Sequence, residues 1–213
     1  MTDSLQLSLS AGELELVCNK DWLLTKQIII DKVYVLFGVL AQKMQQHVLT
    51  HNASLPADVT ESSPKIARGE NYRGLPYVML DYPRHFEKTA TVSIRTFFWW
   101  GNFFSISLHM SGIVKENALP FLKNNFDLLS QKGYYLCIHS NPWEHYYEED
   151  NYRLLKNYSA AEFAAMIEQM DFVKIALPIP LAQWEIVPAF VEQHFTEMMQ
   201  LLTINFPSGE IDL

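Results

Sequence analysis

Between Thr91 and Gly112 the chain reads TVSIRTFFWWGNFFSISLHMSG, two β-branched and aromatic runs meeting at Gly101-Asn102. Glycine at the first turn position can take the positive φ that a two-residue type II′ loop needs, so the segment predicts a β-hairpin. In that register Trp100 faces Phe103, Phe98 faces Ser105, Thr96 faces Ser107 and Ile94 faces His109. The opposite face carries Phe97, Trp99, Phe104, Ile106, Leu108 and Met110, with Arg95 among them. A hairpin with one apolar face must be covered by something else. The other face, mixing aromatics with Thr96, Ser105, Ser107 and His109, predicts the floor of a binding site.

The rest of the chain supplies covering elements. Ser10-Ala-Gly-Glu13 has the form of a capping box. Asn19 or Asp21 then caps a helix from Trp22 to Leu49, apolar on nearly its whole circumference. From Thr50 to Gly74 no periodicity survives, which predicts a long loop; residues 1–9 and 50–68 read as flexible. A short strand at Tyr77–Leu80 ends at Tyr82-Pro83. Pro120 suits the first turn of a helix reaching Lys132 and stopping at Gly133. Tyr134–His139 alternates as a strand, and Trp143–Leu155 is either loop or a hairpin around Asp150-Asn151. Ser159-Ala-Ala-Glu162 caps a further helix, Val173–Leu177 is a strand, and Pro188–Asn205 is an apolar helix. Strands joined by short connections pair antiparallel, so the order predicts one α+β domain over residues 1–213. It has two layers, with helices mainly on one face of an antiparallel sheet.

A chain of 213 residues, 49% hydrophobic, can bury a substantial core. Its formal charge of −8 repels phosphate backbones and anionic lipid, which argues against nucleic acid and membrane surfaces as partners. Cys18 and Cys137 sit among apolar neighbours and read as buried thiols in a reducing compartment. With no secretory signal pattern at the N-terminus, the expected location is the cytoplasm.

Three constellations carry candidate chemistry. His109 with Ser105 and Ser107 could pair a base with a nucleophile, but same-face neighbours fan apart and no strained GxSxG turn presents a serine; small hydroxyls filling space is the plainer reading. Cys137, His139, Glu144 and His145 could converge with His109 on a metal, yet no zinc-binding spacing occurs, so no metal is assigned. GENYRGLPYVMLDYPR, Gly69–Arg84, gathers Glu70, Tyr72, Arg73, Asp81 and Arg84 around one strand, which suits a small polar or anionic ligand; internal Arg–acid pairing is the alternative. Arg95 on an apolar face requires a carboxylate, Asp81 or Glu70, as a structural clamp or a ligand-binding group.

No motif fixes a reaction or a cofactor. The composition and these residues point first to a non-catalytic ligand- or partner-binding protein that self-associates as a homodimer through Trp22–Leu49 or Pro188–Asn205. The alternative is an enzyme for a small polar or anionic substrate, with an Arg/Tyr-lined pocket and His109 as acid/base.

Overall fold

The computed structural model describes residues 8–51, 59, 61–87 and 89–203. Parts of the two segments expected to be flexible, and the expected helix end at Asn205, lie outside these residues. The architecture is α+β: a seven-stranded antiparallel sheet with its helices packed mainly on one face. The strands are β1 (Lys65–Tyr72), β2 (Leu75–Phe86), β3 (Ala90–Trp99), β4 (Phe103–Ser111), β5 (Tyr135–Cys137), β6 (Tyr152–Leu154) and β7 (Phe172–Pro180), in the order β1-β2-β3-β4-β7-β5-β6.

Local chemistry places the helices. In α1 (Ala11–Cys18) the Ser10 hydroxyl accepts from the Glu13 backbone N–H while the Glu13 carboxylate accepts from the Ser10 N–H. Asn19 Oδ1 accepts from the Trp22 N–H and opens α2 (Lys20–His51). Ser159 and Glu162 repeat the capping box ahead of α5 (Ala160–Gln169). Further α-helices among the described residues are α3 (Gly112–Asn124), α4 (Phe126–Gln131) and α6 (Val187–Thr203). Cys18, expected to be buried, is exposed at the end of α1, whereas Cys137 is buried. Pro120 therefore lies inside a helix that begins at Gly112, not at the start of one. Gly112 has φ +59°, and a Cβ there would overlap the Thr89 carbonyl oxygen. Gly112→Ala is expected to lower stability by more than about 1 kcal/mol, read as a lower urea midpoint, because both backbone strain and a backbone clash follow.

Three expectations about strands are corrected. The segment expected to be loop up to Gly74 contains β1, which pairs with β2 through a tight turn at Arg73 (φ 49°) and Gly74 (φ 83°). Two positive-φ residues are what a two-residue type I′ hairpin needs. β2 does not end at Tyr82-Pro83 but continues to Phe86, with its register to β3 shifting between Asp81 and Arg84.

The third correction is the central hairpin, which closes on three residues. Trp99 pairs with Phe103, Gly101 takes φ +72°, and the Asn102 N–H donates to the Trp99 carbonyl. The register is one residue from the expected one, so every β3 side chain changes face relative to β4. Val92, Ile94, Thr96 and Phe98 join Phe104, Ile106, Leu108 and Met110 in the core beneath α2, α3 and α6. Ser93, Arg95, Phe97 and Trp99 join Phe103, Ser105, Ser107 and His109 on the opposite face. Arg95 leaves the apolar face altogether, and Thr96 leaves the polar one.

Candidate functional site

The face that bears Arg95 is roofed by the irregular segment 138–151 between β5 and β6. At the upper end the cover is aromatic: Phe97, Trp99 and Tyr146 are buried together, with Tyr72 and Tyr77 edge-on to Phe97 or to each other. Toward the middle it becomes polar. Strand register brings Asp81 beside Arg95, Arg95 beside Ser107, Ser93 beside His109, and His109 beside Lys174 of β7.

Asp81 and Arg95 form a two-pronged ion pair, Nε to Oδ1 at 2.6 Å and Nη2 to Oδ2 at 2.8 Å, with little exposure of either side chain. Arg95 Nη1 also lies 3.1 Å from His145 Nε2. His145 descends from the roof, stacks on Phe97 at 4.6 Å between ring centroids, and places its Nδ1 3.3 Å from Lys174 Nζ. Lys174 is buried and donates to the roof carbonyls of Pro142 (2.7 Å) and Glu144 (2.8 Å). A second tie fixes the same loop: the Tyr72 hydroxyl donates to Glu144 Oε2 at 2.9 Å and accepts from the His145 backbone N–H at 2.7 Å. The roof thus rests on side chains of β1, β3 and β7.

Burial governs the ionisation of these groups. It pushes the Lys174 ammonium down to about 7, with Arg95 reinforcing the shift while Cys137, Glu144 and Asp81 oppose it. It pushes His109 down to about 3, aided by the positive charges of Lys174 and Arg95. His145 is held well below the usual imidazole range by the same causes. Both imidazoles are therefore neutral near pH 7.

A cavity of about 10 Å³ lies under the roof, lined by Ser93, Arg95, Ser107, His109, Trp143 and Lys174 among others. That is room for one water-sized occupant. The Ser93 hydroxyl is buried and has no hydrogen-bond partner among the described residues.

Of the residues expected at a site, the structure gathers Asp81, Arg95, Ser107 and His109, with Tyr72 bracing the roof. Ser105 shares the face but sits higher, opposite Phe97. Glu70 is exposed and pairs with Lys26 of α2 at 2.8 Å. Arg73 is exposed at the β1–β2 turn, its guanidinium 3.8 Å above the Tyr146 ring. Arg84 is spent on the preceding segment, its Nε donating to the Ser63 carbonyl and its backbone N–H to the Ser62 hydroxyl. No residue of Gly69–Arg84, the segment expected to suit a small polar or anionic ligand, is among those lining this cavity. A roomier cleft of about 440 Å³ lies at the other end of the sheet, lined by Tyr135, Tyr147, Tyr152, Arg153 and Tyr158.

Lys174 was not anticipated, nor were Ser93 and Trp143 as members of the site. The available signal was a single lysine inside the apolar run FVKIALPIP. His145 was anticipated only as a metal ligand, and its two ring nitrogens face Arg95 and Lys174 instead. Comparison with known proteins gives no match to any protein-family model, curated protein or solved structure.

Proposed function

We propose that the chain is a non-catalytic partner-binding protein and that its partner is a second copy of itself. The observation that carries this reading is an apolar helical arm. From Ala11 to Ile28 no residue is buried, and Leu14, Leu16, Val17, Trp22, Leu23, Leu24 and Ile28 are each at least half exposed. Ile30 is the first residue of α2 to enter the core. Seven large apolar side chains left to water along one arm are a liability that a partner would cover.

Two features favour a second copy. Leu24, Ile28, Val35 and Val39 recur on one stripe of α2, and Gly38 on the same stripe lets a facing backbone approach closely. The arm also carries both signs of charge, Glu13 and Glu15 on α1 and Lys20, Asp21, Asp31 and Lys32 on the solvent side of α2, so that its polar rim can pair with a second copy. A two-fold axis sets such a patch against its own copy. The other apolar helix considered for this role, α6, already buries Val187, Val191, Phe195, Met198, Met199, Leu201 and Leu202 in the core. The enzyme reading is weaker, because it needs His109 to exchange a proton near neutrality and the ring is held neutral down to about pH 3.

Sedimentation equilibrium at micromolar concentration is expected to give twice the chain mass of 24.7 kDa. Leu24→Glu with Val35→Glu should return it to one chain mass with unchanged far-UV circular dichroism, since exposed substitutions cost the protomer about 0.5 kcal/mol or less. A wild-type chain that sediments as a monomer refutes the proposal.

A further inference from the structure

We infer that the cavity beneath the roof is a binding site for one halide-sized monovalent anion, taken up together with one proton. The argument starts from counting donors. A guanidinium can only donate, so the 3.1 Å contact makes His145 Nε2 an acceptor and leaves the neutral ring's proton on Nδ1. Nδ1 points at Lys174 Nζ, which already donates to the carbonyls of Pro142 and Glu144. A neutral amine has two N–H groups and one lone pair, which match two carbonyls and one Nδ1–H. An ammonium has three donors and would meet Nδ1–H donor to donor. In the arrangement seen, Lys174 is a neutral amine.

The cavity beside this relay is rich in donors. Arg95 has five N–H groups, of which two go to Asp81 and one to His145, leaving two. Ser93, Ser107 and His109 add two hydroxyls and an imidazole N–H around the same space. The unpartnered Ser93 hydroxyl, 3% exposed, lines it. No carboxylate is among the described residues that line this space. A water bridges donors and acceptors, whereas an anion accepts from all sides, and this lining favours the anion.

Anion uptake resolves the donor conflict if it brings a proton. Lys174 Nζ takes the proton from His145 Nδ1 and becomes an ammonium, donating three times: to two carbonyls and to Nδ1. His145 Nε2 takes a proton from solvent and, with Arg95 Nη1, turns its N–H toward the anion. One anion and one proton enter, and the buried charge is unchanged. The groups facing Lys174 set this balance: Arg95 on β3, Asp81 on β2, His109 on β4, Cys137 on β5, the Tyr152 ring on β6, and Glu144 with His145 in the roof. Asp81 is committed to Arg95 and Glu144 to Tyr72, so the anion is the counter-charge for the ammonium.

Crystals of the wild-type chain soaked in bromide, with diffraction recorded at the bromine edge, test occupancy directly, and an anomalous peak among Ser93, Arg95 and His109 is expected. Calorimetric titration with sodium chloride well above pH 7, in buffers of different ionisation enthalpy, should report one proton taken up per anion. Affinity should weaken tenfold per pH unit above about 7. Ser93→Ala should weaken chloride binding while leaving proton uptake, and Lys174→Met should abolish the uptake. If Lys174→Met does not fold, the wild-type proton count and the bromide peak still decide. No peak, together with a melting temperature that is the same in chloride and gluconate at equal ionic strength, leaves a water site and overturns the inference. Chloride binding with no proton uptake overturns it equally.

Discussion

Asp81→Ala is expected to destabilise the fold by about 3–5 kcal/mol, read from the urea midpoint with its slope unchanged. The reason is not that a salt bridge is a strong bond. Asp81 is 5% exposed, and removal of its carboxylate leaves a guanidinium inside the sheet's second face with two more of its N–H groups unpaired. A buried unpaired charge is the expensive state, whereas loss of both charges is often close to neutral. Asp81→Leu combined with Arg95→Met should therefore recover most of the loss. A single-variant effect below about 1 kcal/mol would show that Arg95 reaches water.

The second large effect is a pH dependence. An unfolded lysine keeps its proton up to about pH 10.4, while the folded chain releases it from Lys174 at about 7. Between these values the unfolded state holds the extra proton, so stability rises with pH by about 1.4 kcal/mol per unit from this group alone. The penalty is complete below pH 7. On the acid side His109 and His145 act in the same direction, because unfolded imidazoles charge below about 6.5 and the folded ones resist. Stability should fall from pH 9 to pH 5 in denaturant melts. Lys174→Met should remove the alkaline part of that slope and leave the part from the imidazoles. A flat profile from pH 7 to 9 in the wild type would mean that Lys174 is charged in the folded protein.

Parts of this arrangement were legible in the residues. Capping boxes are short-range, and both Ser10–Glu13 and Ser159–Glu162 form as their spacing implies. The Arg95–Asp81 pair followed from the impossibility of a lone buried guanidinium. The hairpin register did not follow, because a Gly-Asn pair suits either a two-residue loop or the last two positions of a three-residue one, and the choice exchanges faces. The sequence held a corrective: only the three-residue loop removes Arg95 from the apolar face and sets Ile94 and Phe98 beside Phe104 and Ile106. β1 was missed because KIARGENY, an edge strand, carries charges where a central strand would alternate with apolar residues. The roof's attachment to Lys174 depends on a crossover that lays β7 beside β4, and nothing local announces that neighbour.

α2 belongs to two environments along one uninterrupted set of backbone hydrogen bonds. From Ile30 to Val48 it is held by the core; before Ile30 none of its described residues is buried. An isolated helix of the arm's length is marginal in water, since nucleation fixes several residues for the first bond. The arm is spared that step, because its turns propagate from a segment already helical. The self-association proposed above would therefore draw on a helix already formed and capped at Asn19, and would not carry the cost of nucleating one.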